Sequence, residues 1–285
     1  MRIDTARLVG YQVERTAPPT SDPARRRFSR DDLTIAYVLC LDTVNFGSGW
    51  FPQLDKPPGM SGYFTVATRL RERFERSPPA ASDLVRLTPA DCARLFGQDP
   101  HGPAGELMAL FATALNDLGR YLLERFDGSF TALVESADGS AERLVDLLRG
   151  MEYFRDLRRY GRLEVPLYKR AQLCAADLSF VGVAEFGDLD RLTAFADNLV
   201  PHVLRLDGVL RYDSGLAARI DRGALIPAGS EEEVELRACA VHAVELLARE
   251  HDGMTAADVD AVLWYRGQAP RYKAVPRHRT RTVHY

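Results

Sequence analysis

Lysine is nearly absent from this chain. Of 37 Lys and Arg residues among 285, only Lys56, Lys169 and Lys273 are lysines. That bias fits a GC-rich coding sequence, and it makes each lysine conspicuous. Cysteine is also sparse: Cys40, Cys92, Cys174 and Cys239 lie far apart in apolar stretches, with no CxxC pair. They read as reduced, buried thiols of a cytoplasmic protein. The six histidines are scattered without HxxxH or HxH spacing, so no metal site is signalled. The opening MRIDTARLVG has no basic stretch followed by an apolar one, so no secretory leader is expected. No apolar run approaches the roughly 18 residues of a membrane span.

What is present is an ordinary globular mixture, 46% hydrophobic and 27% charged. The net charge of -3 argues against a general nucleic-acid coat protein. Residues 1–28 end in TAPPTSDPARRRF, which reads as a loosely held arm. Residues 29–285 show no repeat and no break in composition, and so form one domain.

Within that domain, SRDDLTIAYVLCLDTVNF is expected to be a buried helix, apolar almost all round, with Ser29 and Asp32 at capping-box spacing. TPADCARLFG carries its own punctuation: Thr88 as N-cap, Pro89 at the first helical position, Asp91 at N3 and Gly97 as terminator. GELMALFATALNDLGRYLLERF, SAERLVDLLRGM, KRAQLCAADLSFVGV, EEEVELRACAVHAVELLARE and TAADVDAVLWYRG also read as helices. Strand signals are few: GSFTALVES and the alternating HRTRTVHY. The fold class is therefore mainly α, with a minor β element.

Three stretches carry polar residues in apolar surroundings. RLTAFADNLVPHVLRLDG, residues 191–208, has apolar residues at helical spacing, interrupted by Asp197 and Asn198 and followed by Pro201. A helix through this stretch should kink or stop at the proline, because the carbonyl of Asp197 loses its partner. Asp197 then either faces a cleft or pairs with Arg191 or Arg205. After it, a helix, a turn at Asp207–Gly208 and a second helix would make a helical hairpin. LCLDTVNF places Asp42 and Asn45 on one helix face, either as a structural network or as a pair that reads a guanine-like edge. PLYKRAQLCAADL sets Lys169 and Arg170 at a helix start, either solvated or holding a phosphate. Gln172 and Asp177 interrupt the apolar pattern of the same helix.

Several stretches, in this order, carry a resemblance: LDTVNF, LLERFDGSF, YFRD, YKRAQLCAADL, LTAFADNLVPHVLRLDGVL, EEEVELRACAVHAVELL and PRHRTRTVHY. From about residue 30 onward the chain resembles the queuosine salvage protein family, the queuosine 5'-phosphate N-glycosylases. It departs from the family pattern at GSG before Trp50, and at Asn198 and Leu199, where the family often has Tyr-Arg. The resemblance implies a helical fold like that of DNA glycosylases, with a helical hairpin after the catalytic Asp. It also implies hydrolysis of the N-glycosidic bond of queuosine 5'-monophosphate to queuine and ribose 5-phosphate.

On this resemblance Asp197 is the catalytic residue, as general base or nucleophile. The base is assigned to Asp42, Asn45 and Asp177, with Glu235 at the base edge or the side-chain amine. The phosphate is assigned to Lys169 first, then Arg237, His278 and Tyr285. His202 turns to the cleft or to the surface. No metal or organic cofactor is expected. The partner is a small-molecule substrate rather than a nucleic acid or a membrane, and the protein is expected to be a cytoplasmic monomer. Two other readings remain at this level: a non-catalytic 7-deazaguanine-binding protein and a nucleic-acid glycosylase.

Overall fold

The computed structural model describes residues 1–14, 22–23 and 27–285. Among these the chain is mainly helical, with thirteen α-helices and two small antiparallel sheets. One sheet pairs β1 (Arg2–Ile3) with β4 (Leu210–Arg211), and the other pairs β2 (Leu157–Tyr160) with β3 (Leu163–Pro166). No described helix is long and apolar enough to cross a membrane.

The first core is built on α1 (Asp31–Val44), in which every residue from Thr34 to Val44 is buried. Burying side chains such as Val38, Leu39 and Leu41 stabilises the fold by about 1.5–3 kcal/mol each. The start of α1 differs from expectation. Its N-cap is Arg30, whose guanidinium holds Asp32, and the Phe28 N–H donates to Thr34 Oγ1 at 3.0 Å instead. With Asp32 engaged by Arg30, the Ser29 capping box does not form.

Packed with α1 in the first core are α2 (Gly62–Arg76), α3 (Ala81–Leu84), α4 (Pro89–Phe96), α5 (Gly105–Arg125), α6 (Phe130–Glu135), α7 (Ala141–Leu148) and α8 (Lys169–Phe180). Helix α4 matches its sequence signals. Thr88 accepts from the Asp91 N–H, Asp91 accepts from the Thr88 N–H, and Gly97 ends the helix at φ 66°. Helix α6 corrects the strand expected at GSFTALVES. Ser129 caps it, and Phe130, Leu133 and Val134 are buried at i, i+3, i+4 spacing, so helical burial overrides the alternation.

A second core gathers α9 (Val200–Leu206), α11 (Glu231–Glu250), α12 (Ala256–Arg266) and α13 (Pro270–Lys273), with α10 (Ser214–Asp221) at its side. Part of the expected arm is fastened here. Leu8 and Val13 are buried in this core, and the Tyr11 hydroxyl donates to Asp207 Oδ2 at 2.6 Å. The arm's residues 15–21 and 24–26 lie outside the described residues.

The 191–208 stretch is not one helix broken by Pro201. A short 3-10 turn (Leu189–Arg191) leads into irregular chain through Leu199, and α9 then begins at Val200 with Pro201 in its first turn. Proline lacks only an N–H that the first turn would leave unpaired, so here it starts a helix. The expected hairpin is also modified: after the Gly208 turn the chain forms β4 against β1 before α10 begins. Among the described residues the C-terminal HRTRTVHY joins no sheet and makes a single parallel bridge, Leu225 to Arg279. Its alternation is nonetheless real, with His278, Thr280 and Thr282 buried and Arg277, Arg279 and Arg281 less so.

Candidate active site

A cavity of about 680 Å³ opens between the two cores, within the size range of small-molecule sites. The first core supplies Asn45 and Phe46 at the end of α1, Tyr63 in α2, and Lys169, Leu173 and Asp177 along α8. The second supplies Phe195 through the Asp197 loop, Asp260 and Trp264 on α12, and the segment from Tyr272 to Arg279.

The irregular stretch before α9 is held by side chains in place of helical hydrogen bonds. Gln172 accepts from the Thr193 N–H at 2.8 Å, Asp260 accepts from the Phe195 N–H at 3.0 Å, and Arg237 Nε donates to the Ala196 carbonyl at 2.9 Å. Asn198 Nδ2 donates to the His278 carbonyl at 3.1 Å, tying the loop to the C-terminal segment. Asp197 Oδ1 then accepts the N–H groups of Leu199 and Val200 at 2.8 and 3.0 Å. Its other oxygen makes no hydrogen bond among the described residues, and the side chain lines the cavity. One oxygen orients the carboxylate and the other carries no protein hydrogen bond among the described residues.

Around Asp197 the charges are unevenly balanced. Asp260 is buried, and that burial, followed by the neighbouring Asp197, pushes its carboxyl well above the usual carboxylate range. Burial lowers the Lys169 ammonium, while Asp197 and Asp42 oppose that shift. Behind the wall, Asp42 is fully buried and is pushed up to about 8 by burial and then by Asp177. Asn45 Nδ2 donates to its Oδ1 at 3.2 Å. Asp42 thus supports Asn45 from outside the lining.

The Lys–Arg pair at the start of α8 divides. Lys169 faces the cavity, but Arg170 turns into the first core, donates to the carbonyls of Asp42, Thr43 and Tyr153, and sits over the Phe46 and Phe154 rings. Arg237 is likewise internal. It holds Asp156 and Glu233 and lies 4.5 Å from the centroid of the Tyr285 ring, and Tyr285 itself lines the cavity. His202 is buried behind the wall, where its Nε2–H donates to the Tyr272 carbonyl at 2.9 Å. His278 is buried, and burial, then Arg237 and Arg277, pull it down to about 3, so it is neutral. Glu235 lies on the opposite side of α11 from Glu233 and Arg237, where it accepts from the Met1 ammonium at 2.9 Å. Of the residues singled out in the sequence, the structure brings Asn45, Lys169, Asp177, Asp197 and Tyr285 to the cavity wall. Asp42, His202, Glu235, Arg237 and His278 stand outside it. Among the described residues no group of three or more His, Cys, Asp or Glu side chains is arranged to hold a metal ion.

A model of the queuosine salvage protein family matches residues 26–285. The chain belongs to the queuosine salvage protein family. It is 36% identical to a queuosine 5'-phosphate N-glycosylase/hydrolase of Sphaerobacter thermophilus, over 96% of this chain and 88% of that protein. Proteins of the same name in Dictyostelium discoideum and Bos taurus are 34% and 28% identical, over 89% and 90% of this chain and 79% and 82% of theirs.

For this member of the queuosine salvage family, the GSG departure has a local explanation. Gly47 adopts φ 99°, and a Cβ on Gly49 would lie 2.3 Å from the Thr280 carbonyl oxygen, so the C-terminal segment presses directly on this backbone. Trp50 is part of the core, its Nε1–H donating to Glu106 at 2.7 Å. Asp260, Phe195, Trp264, Lys273 and Arg277 line the cavity without having been singled out. Asp260 carried a signal: it is an acid inside the apolar stretch Val259, Val262, Leu263. So did lysine scarcity, since Lys56, Lys169 and Lys273 all line this cavity.

Proposed function

We propose that this protein hydrolyses the N-glycosidic bond of queuosine 5'-phosphate, releasing queuine and ribose 5-phosphate. The carrying observation is Asp197: a carboxylate fixed through one oxygen by two backbone N–H groups and open to the cavity through the other, beside the buried acid Asp260.

Cleavage passes through an oxocarbenium-like transition state, with positive charge growing at the anomeric carbon. Asp197 stabilises that charge more than it stabilises the ground state, and it takes a proton from the attacking water. Water supplies the new C–O bond. The electron pair of the broken C–N bond leaves with the base. Queuine is a 7-deazaguanine, so carbon stands where purine-cleaving enzymes protonate a ring nitrogen, and the leaving base needs help elsewhere on its edge. Asp260, whose carboxyl is pushed up by burial and then by Asp197, is assigned to donate that hydrogen bond or proton, and Lys169 balances the carboxylates around it. Asn45 and Asp177 are assigned to the base, with Asp42 behind them, and Tyr285 to the wall. Residues 29–285 act as one domain, on a small molecule, as a cytoplasmic monomer and without direct contact to nucleic acid.

Incubating queuosine 5'-phosphate with the purified protein and following the mixture by mass spectrometry tests this. Equimolar queuine and ribose 5-phosphate are expected. Tight binding without release would make the protein a binding module instead.

A further inference from the structure

Five cationic side chains line the cavity: Lys56, Lys169, Lys273, Arg277 and Arg279. Three are already engaged. Lys56 Nζ donates to the Phe51 carbonyl at 2.8 Å, Arg279 donates to the Gly223 carbonyl, and Lys169 sits in the field of Asp197, Asp42 and Asp260. Lys169 therefore already has Asp197 as a counter-charge. Lys273 and Arg277 differ: the side chain of neither makes a hydrogen bond or ion pair with any described residue.

Arg277 is only partly exposed. Burial lowers its guanidinium from the usual arginine range, with Asp197 the opposing influence. A desolvated guanidinium with unmatched donors is costly, and an anion that accepts two of those donors side by side recovers the loss. Lys273 is exposed on α13, four residues earlier, and also lines the cavity.

We infer that Arg277, with Lys273 beside it, holds the substrate's 5'-phosphate at the mouth of the cavity, so that the base enters first towards Asn45 and Asp177. This inference rests on the nucleotide reading of the site. It moves the phosphate from Lys169, which stays with the carboxylates at the reacting centre.

The test compares turnover of queuosine 5'-phosphate with that of the free nucleoside in the wild type, Arg277→Ala, Arg277→Lys and Lys169→Ala. The phosphate advantage is the ratio of the two kcat/KM values. Arg277→Ala should lower it about 30-fold or more, mainly through KM. Arg277→Lys should lower it less, because a lysine keeps the charge but loses the paired donors. An unchanged ratio in Arg277→Ala, or a larger fall in Lys169→Ala than in Arg277→Ala, overturns the assignment. Calorimetry with ribose 5-phosphate judges the anion site independently of turnover. Binding by the wild type that is lost in folded Arg277→Ala supports the site, even if no queuine is ever released. No binding by the wild type, or equal binding by the variant, overturns it.

Discussion

The two oxygens of Asp197 separate its structural role from its chemical one. An asparagine at 197 keeps an Oδ1 that accepts from Leu199 and Val200, so the start of α9 survives and stability should change by less than about 1 kcal/mol. The charge, however, is gone. We expect Asp197→Asn to melt near the wild type while its queuine release falls by about 10³-fold or more; near-normal turnover would remove Asp197 from the chemistry. Asp260 gives the complementary prediction. On the proposed mechanism its protonated form is the active one, so activity should be present below its raised pKa and be lost as pH rises through it. Asparagine donates a hydrogen bond at every pH. In Asp260→Asn the basic limb of the kcat/KM profile should therefore vanish, with residual activity above that of Asp260→Ala. A basic limb that persists in Asp260→Asn belongs to another group. Asp197 stood out in the sequence as an acid beside an apolar stripe and a proline, but the pattern left it facing a cleft or pairing with an arginine, and only the family resemblance assigned it to the site. Arg277 did not stand out, since in RYKAVPRHRTRTVHY it is one arginine among several. Its distinction is the lack of a partner, which only packing reveals.

Among the elements, local chemistry was readable where it closes on itself. Helix α4 carries its cap, proline and terminating glycine within ten residues, and α1 announces its burial by being apolar on every side. Elements that depend on distant partners were misread or missed. The 192–199 loop looks helical by spacing, yet Gln172, Asp260 and Arg237 from three other helices hold it irregular. Pairing of β1 with β4 joins residues some 200 positions apart and leaves almost no local trace. The fastening at Asp207 is of the same kind. Its carboxylate accepts from the hydroxyls of Tyr11 and Tyr272 and from Arg271, joining the N-terminal segment, the end of α9 and α13. Asp207→Ala removes the acceptor of two tyrosine hydroxyls, which keep only arginine donors, and should cost about 2–3 kcal/mol in denaturant unfolding. Because Tyr272 and Lys273 line the cavity, KM for the nucleotide should rise in the same variant. A loss of stability with no change in KM would show that α13 keeps its place without this anchor.

At the level of the whole molecule, the cavity belongs to neither core alone. Lys169 and Asp177 come from a helix of the first, Asp260 and Arg277 from the second, and the Asp197 loop is held from both through Gln172 and Asp260. A ligand filling the cavity therefore touches both sides and must stabilise their association as well as its own pocket. Binding that is confined to the native state adds RT ln(1 + [L]/Kd), about 2.7 kcal/mol at a hundredfold excess over Kd. Hydrogen exchange with saturating queuine should then slow at the start of α8 and along α12 together, two regions that share no sequence neighbourhood. Protection confined to one wall would mean that the base rests on a single core, and Lys169 and Asp177 on the one side or Asp260 on the other would then have no part in holding it.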